Sequence, residues 1–141
     1  MGYAITTVGL AKNYSPSDVV LVVNSGSGVG ASDVYAPMPN TKLLLMARIG
    51  QNSLFRFKFK MRDNGAFGQT MYCKIYRNGV AIGTEQTTTS TVYVEKVEDI
   101  VATGWLRGDV LQIYGHRSGL QNLPRATDMS LCGAGSEWEA M

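Results

Sequence analysis

The residues whose type and spacing come closest to a chemical pattern are four cations at alternate positions: Arg56, Lys58, Lys60 and Arg62. Alternate residues of a strand share a face. At a rise of about 3.3 Å per residue these cations would stand about 7 Å apart and could track a phosphate backbone. The wider charge pattern offers a plainer reading. Arg48 to Arg77 holds seven cations and one acid, Asp63, whereas Glu85 to Asp99 holds four acids and one lysine. Two such segments lying side by side, in one subunit or across a subunit interface, would offset one another. An acidic protein surface also fits the stripe. No aromatic residue interleaves with the cations on their face, so a base-stacking platform is not indicated. The net charge of +2 adds no argument for nucleic acid, which is not an expected partner.

No other pattern reaches a reaction centre. His116 is the one histidine, just after a strand-like segment and with no nucleophile in evidence beside it. Glu95, Glu98 and Asp99 could supply a glycosidase carboxylate pair, but read more simply as a solvated strand end. Arg107-Gly108-Asp109 is an integrin-type tripeptide, and equally a turn into the next strand. Gly26-Ser27-Gly28-Val29-Gly30 follows an apolar strand, as a nucleotide loop does. A dinucleotide fingerprint must open a helix, however, and here Ala31-Ser32-Asp33 and two prolines follow. Met1-Gly2-Tyr3-Ala4-Ile5-Thr6 matches a loose myristoylation pattern, with a bulky Tyr after the glycine. Cys73 and Cys132 alone are too few for a structural zinc site, which usually takes four ligands. Two buried free thiols are the simpler reading and an inter-strand disulfide the other. The expectation is a chain with no catalytic residues, no cofactor and no metal.

The elements that must position these residues are strands. Sixteen glycines and 17% charged residues in 141 fit one compact all-β domain with many tight turns and a real core. Ser53 to Arg62 alternates strictly, with Phe55, Phe57, Phe59 and Met61 facing one way and the four cations the other. Tyr72 to Gly83 is a hairpin turning at Asn78-Gly79, because a type I′ turn needs positive φ at both central residues. A two-residue turn there sets Arg77 opposite Val80, Tyr76 opposite Ala81 and Ile75 opposite Ile82. Val19 to Val23 is a continuous apolar run, which predicts burial on both faces. Asn24 to Ser32 reads as a loop and Pro37-Met38-Pro39-Asn40 as a breaker. Further strands are expected at Tyr3–Leu10 (or an arm), Lys42–Arg48, Thr91–Val97, Asp109–Tyr114 and Ala126–Cys132. No helical period survives more than two turns, and there is no internal repeat. The pattern predicts an all-β, jelly-roll-like antiparallel β-sandwich of about nine strands. Residues 1–17 form an N-terminal arm or first strand, 18–133 the sandwich and 134–141 a flexible acidic tail. No run of about 18 apolar residues predicts a transmembrane helix. No basic, then apolar, N-terminal stretch predicts a signal peptide. The expected setting is a cytosol, without a membrane partner.

The run Ile75-Tyr76-Arg77-Asn78-Gly79-Val80-Ala81-Ile82-Gly83-Thr84-Glu85-Gln86-Thr87-Thr88-Thr89-Ser90-Thr91-Val92-Tyr93-Val94 resembles a recurring β-module of structural proteins of tailed phages and archaeal viruses. Gly108 to Tyr114 and Met129 to Gly133 are similar to that module's last strands, and the resemblance covers roughly residues 42 to 133. It implies a non-enzymatic virion structural protein, foremost a capsid decoration or minor head protein assembled in the host cytoplasm. Its partners would be capsid or tail proteins and copies of itself, with a trimer favoured. Unpaired sandwich edges invite strand addition. Tyr3, Ile5 and Val8 in the first segment, Trp138 in the last, and the stripe Arg56, Lys58, Lys60 and Arg62 are the candidate interface. The alternative is a tail-associated receptor- or carbohydrate-binding β-sandwich. It requires Tyr35, Tyr76, Trp105 and Trp138 to gather round a shallow groove.

Overall fold

The alternation of Phe55, Phe57, Phe59 and Met61 with cations forces a strand with one dry and one wet face. In the computed structural model, which describes residues 10–46, 48–63, 69–118 and 123–140, that strand is the third of nine. The elements are β1 (Leu10–Val29), β2 (Ala36–Leu44), β3 (Leu54–Asp63), β4 (Met71–Arg77), β5 (Val80–Ala81), β6 (Gln86–Thr88), β7 (Val94–Val101), β8 (Val110–Arg117) and β9 (Pro124–Ala140). One sheet has the order β1-β9-β3-β7 and the other β2-β8-β4-β5, with β6 also on β4. All the strand pairings are antiparallel.

The pairing has a simple logic. β1 lies on β9, β2 on β8, β3 on β7 and β4 on β5. The chain is one long hairpin, and successive pairs fall to alternate sheets, which is a jelly-roll winding. The tip of that long hairpin is Asn78-Gly79. Tyr76 faces Ala81 and Arg77 faces Val80, the register expected from the sequence. Asn78 has φ 49° and Gly79 φ 82°, the two positive angles of a type I′ turn. The Ile82 N–H then donates to the Ile75 carbonyl at 3.0 Å.

The core lies between the sheets. Phe55, Phe57, Phe59 and Met61 are buried against Met71, Cys73 and Ile75 of β4, Leu111 and Ile113 of β8, and Met129 and Leu131 of β9. Each fully buried side chain of this size contributes about 1.5–3 kcal/mol. Both cysteines are free and buried. Desolvation pushes the Cys73 thiol up to about 12.

Several boundaries differ from the sequence reading. Residues 134–140, expected as a tail, are the end of β9 and pair with residues 10–15 of β1, from Leu10–Ala140 to Ser15–Ala134. The expected boundaries at 17/18 and 133/134 therefore fall inside strands. A Gly-, Ala- and Glu-rich segment looks like a tail until its partner, at the opposite end of the chain, is known. The expected loop 24–32 is strand as far as Val29. Its glycines admit a neighbouring backbone: a Cβ on Gly28 would sit 2.0 Å from the Pro39 carbonyl oxygen, and one on Gly26 2.6 Å from that of Asn40. The breaker at Pro37–Asn40 lies within β2 as an irregularity. The five-residue step from Pro37 to Lys42 spans only two residues of β8, Tyr114 to Gln112. Val19, Val20, Leu21 and Val23 are exposed, not buried, because β1 is the edge of its sheet and bulges there. Val22 alone of that run packs on the core. Tyr3, Ile5 and Val8 lie outside the described residues.

Candidate functional site: an aromatic face on the second sheet

Three of the four cations of the basic stripe pair with acids of the same chain. β7 lies beside β3, with Arg56 opposite Asp99 and Lys60 opposite Glu95. Arg56 bonds Asp99 at 3.0 Å and Asp18 at 3.1 Å, Lys58 reaches Asp18 at 2.7 Å, and Lys60 lies 3.5 Å from Asp128. Arg62 donates to the Thr91 carbonyl and lies 5.1 Å over the Tyr93 ring. Asp18 is held below the usual carboxylate range by its bonds from Lys58 and Arg56; Lys58 is raised by Asp18, and Arg56 by Asp99 and then Asp18. Of the three sequence readings, the plainest is the observed one: the basic and acidic segments lie side by side.

Three motifs are likewise absorbed by structure. Asp109 of the Arg107-Gly108-Asp109 tripeptide is 7% exposed. It accepts from Arg77 Nε at 2.7 Å, Leu106 N–H at 2.8 Å and Asn78 Nδ2 at 3.0 Å. Burial raises its pKa, but the bonds from Leu106, Asn78 and Arg77 outweigh burial and leave it low. This carboxylate pins the turn before β8 to the hairpin tip and is not presented for adhesion. Glu98 and Asp99, successive residues of a strand, point to opposite faces. Asp99 meets Arg56, while Glu98 accepts the Thr84 N–H at 2.8 Å, so they form no carboxylate pair. Trp105 is buried against Phe55, 5.8 Å between ring centroids, and leaves the set of exposed aromatics. Trp138 pairs by its backbone with Lys12.

What the fold does assemble is a face on the outside of the second sheet. Alternation sends Tyr72, Lys74 and Tyr76 of β4, and Gln112, Tyr114 and His116 of β8, to the same side. The register sets Tyr72 beside His116, Lys74 beside Tyr114 and Tyr76 beside Gln112. Tyr72 and His116 stack at 4.3 Å, and Tyr76 and Tyr114 stack at 3.7 Å, tilted only 3°. Tyr35, from the segment before β2, meets the His116 edge at 4.5 Å and lies 6.3 Å from Tyr76. The Lys74 ammonium sits 4.8 Å over the Tyr35 ring. Tyr35 donates its hydroxyl to Glu85 at 2.8 Å; burial, and then that carboxylate, push the phenol's pKa well up. Each of these residues is only partly exposed, His116 by 20% of its side chain.

Beside the rings lies an open hollow of about 510 Å³ bounded by Asn24, Pro37, Pro39, Asn40, Lys42 and Gln112. It exists because the β2 irregularity draws backbone away from β8. Asn40 takes the positive φ of 61°, Thr41 Oγ1 donates to the Met38 carbonyl at 2.7 Å, and Gln112 Nε2 holds that same carbonyl at 2.9 Å. Of the four aromatics named from sequence, the structure brings Tyr35 and Tyr76 together. Tyr72, Tyr114 and His116 were missed as members. Their signal was the alternation Tyr72-Lys74-Tyr76 and Gln112-Tyr114-His116, legible once β4 and β8 are known to pair. Among the described residues no cluster of three or more His, Cys, Asp or Glu could hold a metal.

The fold has solved counterparts. A C-terminal domain of EclA, described as a sugar-binding protein, matches 82% of this chain and 84% of its own at TM-score 0.51 and 15% identity. Part of the insecticidal delta-endotoxin Cry8Ea1 from Bacillus thuringiensis matches 80% of this chain at TM-score 0.51 and 8% identity, over 19% of the toxin's length. The chain has a β-sandwich fold. At these identities the likeness is one of architecture. No family model matches the sequence, and no curated protein matches it.

Proposed function

We propose that this protein is a non-enzymatic binding module that recognises a glycan on the outer face of the second sheet. The observation that carries the reading is the cluster of Tyr35, Tyr72, Tyr76, Tyr114 and His116 beside an open hollow rimmed by Asn40, Lys42 and Gln112. Tyrosines give a large, rigid contact surface that is apolar on the ring and polar at the hydroxyl, at low entropic cost. A sugar offers the matching mixture of C–H faces and hydroxyls. The amides and ammonium at the rim supply the few directional bonds that orient a ligand in a hollow of this size. The sugar-binding description of the EclA domain supports the same choice of ligand. A glycan array followed by calorimetric titration of the best hit tests it. Tyr114→Ala and Tyr76→Ala are expected to weaken binding at least tenfold, and Lys60→Gln, on the opposite sheet, to leave it unchanged. An array without hits, or hits indifferent to both tyrosines, rejects the proposal.

A second reading has one observation in its favour. A virion structural role, as a capsid decoration or minor head protein, needs an apolar surface to meet a lattice, and the β1 edge exposes Val19, Val20, Leu21 and Val23. Mass spectrometry of density-purified particles from the source culture tests that role. Many copies per particle support it and absence removes it.

A further inference from the structure

We infer that the glycan recognised by the second sheet is an acidic one, whose carboxylate or sulfate the Lys42 and Lys74 ammoniums engage. The inference rests on the glycan reading above and adds the charge of the ligand. It starts from how charge is divided between the sheets. The strands of the second sheet, β2, β8, β4, β5 and β6, hold Lys42, Lys74, Arg77 and Arg117 and not one Asp or Glu. The acids that reach this sheet come from segments outside it, and each is already engaged. Asp33 bonds Arg117 at 2.9 Å and Asp109 bonds Arg77 at 2.7 Å. Glu98 accepts the Thr84 N–H, and Glu85 accepts the Tyr35 hydroxyl and lies 3.8 Å from His116.

Two cations are left over, and the register puts both on the aromatic side. Residues paired across strands share a face. Lys42 faces Gln112, Gln112 faces Tyr76, and Lys74 faces Tyr114. Arg77 and Arg117 face Leu111 and Met71, which are core residues, so those two lie on the inner side. Among the described residues neither the Lys42 nor the Lys74 ammonium has an ion pair. Lys42 is exposed at the rim of the hollow of about 510 Å³. Lys74 is held over the Tyr35 ring at 4.8 Å, a contact that orients the ammonium and leaves its charge in place. Neighbouring strands lie about 4.8 Å apart, so Lys42 and Tyr76 stand about 10 Å apart across Gln112. A sugar ring resting against Tyr76 and Tyr114 spans much of that gap, and an acidic substituent directed toward β2 comes within reach of the long Lys42 side chain. A neutral glycan gains nothing from either charge. An exposed charge pair changes affinity by up to about fivefold, and both lysines act on the same anion.

An array of matched oligosaccharide pairs, followed by calorimetry at about 0.05 and 0.5 M NaCl, tests it on the whole chain. Each uronate- or sialate-bearing glycan stands beside its carboxyl-reduced form, and each sulfated glycan beside its desulfated form. An acidic member is expected to bind about fivefold tighter than its neutral partner at low salt, and the advantage to shrink at high salt. A difference confined to the carboxyl-reduced pairs assigns a carboxylate, and one confined to the desulfated pairs a sulfate. Lys42→Gln and Lys74→Gln are each expected to lower the acidic-to-neutral ratio about twofold and the double variant to bring it near one, with melting unchanged. Lys42→Arg, which keeps the charge, and Lys60→Gln, on the opposite sheet beside Asp128, are expected to keep the ratio. Equal binding of acidic and neutral members overturns the inference and leaves glycan recognition standing. So does an acidic preference that persists in the folded double variant or is indifferent to salt. An array without hits overturns both.

Discussion

Asp109→Ala is the sharpest test of the structural account, because one carboxylate joins two turns that are far apart in sequence. Its side chain is 9% exposed and its partner Arg77 27%. The substitution removes three bonds, from Arg77 Nε, Asn78 Nδ2 and the Leu106 N–H, the shortest of them 2.7 Å. Breaking a buried ion pair by removing one partner costs about 3–5 kcal/mol. Arg77 keeps partial access to water, and its Nη2 still donates to the Gly104 carbonyl, which places the expected loss at the lower end, about 3 kcal/mol. At about 2.1 cal/mol/K per residue of unfolding entropy, near 0.3 kcal/mol/K for this chain, the melting temperature falls by about 10 °C. The loss also depends on pH. Asp109 is held below its ordinary value in the folded state and titrates near 3.9 when unfolded. Its contribution is complete above the unfolded value and disappears as pH falls through the folded one. Differential scanning calorimetry of wild type and Asp109→Ala should show a gap of about 10 °C at pH 7 that narrows below pH 4. A gap under about 2 °C at pH 7, well short of the cost of a lost buried pair, would refute the reasoning. A gap as wide at pH 2.5 as at pH 7 would show that the carboxylate's charge is not what holds the turns together.

Three further outcomes are expected. Gly28→Ala, whose Cβ would meet the Pro39 carbonyl oxygen at 2.0 Å, should cost about 3 kcal/mol in urea unfolding. Gly104→Ala, with φ +82° but nothing within 4 Å, should cost about 1–2 kcal/mol, and the reverse order would contradict the close approach of β1 and β2. Cys73 and Cys132 should resist a thiol reagent in the native protein and both react in denaturant, since both are buried and unpaired and Cys73 is raised to about 12; prompt native labelling of Cys73 would place it elsewhere. Phe57→Ala, at 0% exposure between the sheets, should cost about 3–5 kcal/mol by the shift in denaturation midpoint, and a change below 1 kcal/mol would show that β3 is not central to the core.

The sequence by itself determined what is local. Period two in Phe55–Arg62 identified a strand and its dry face, since successive side chains of a strand can only alternate. Asn78-Gly79 identified a turn and its register, since few residue pairs tolerate two positive φ angles. That turn is also the tip about which the whole chain doubles back, so the strongest local signal marked the pivot of the fold. Opposite charge on two segments likewise anticipated that β3 and β7 would meet. What only the tertiary structure decided is what depends on partners distant along the chain. A Gly-rich segment is strand because residues 125–127 of β9 pair with it, and its glycines leave room for the Pro39 and Asn40 backbone. The C-terminal stretch is strand because residues 10–15 pair with it. The apolar run Val19–Val23 is exposed because β1 has a neighbour on one side only, whereas Trp105, counted among the exposed aromatics, is covered by Phe55. The aromatic face belongs to this second class. Its five rings come from three separate segments, and they become a surface only when β4 and β8 pair in one register and β2 bends away beside them. Alternation tells which side of a strand a residue takes; which strands lie together, and hence which residues share a surface, is settled by the pairing of the sheet.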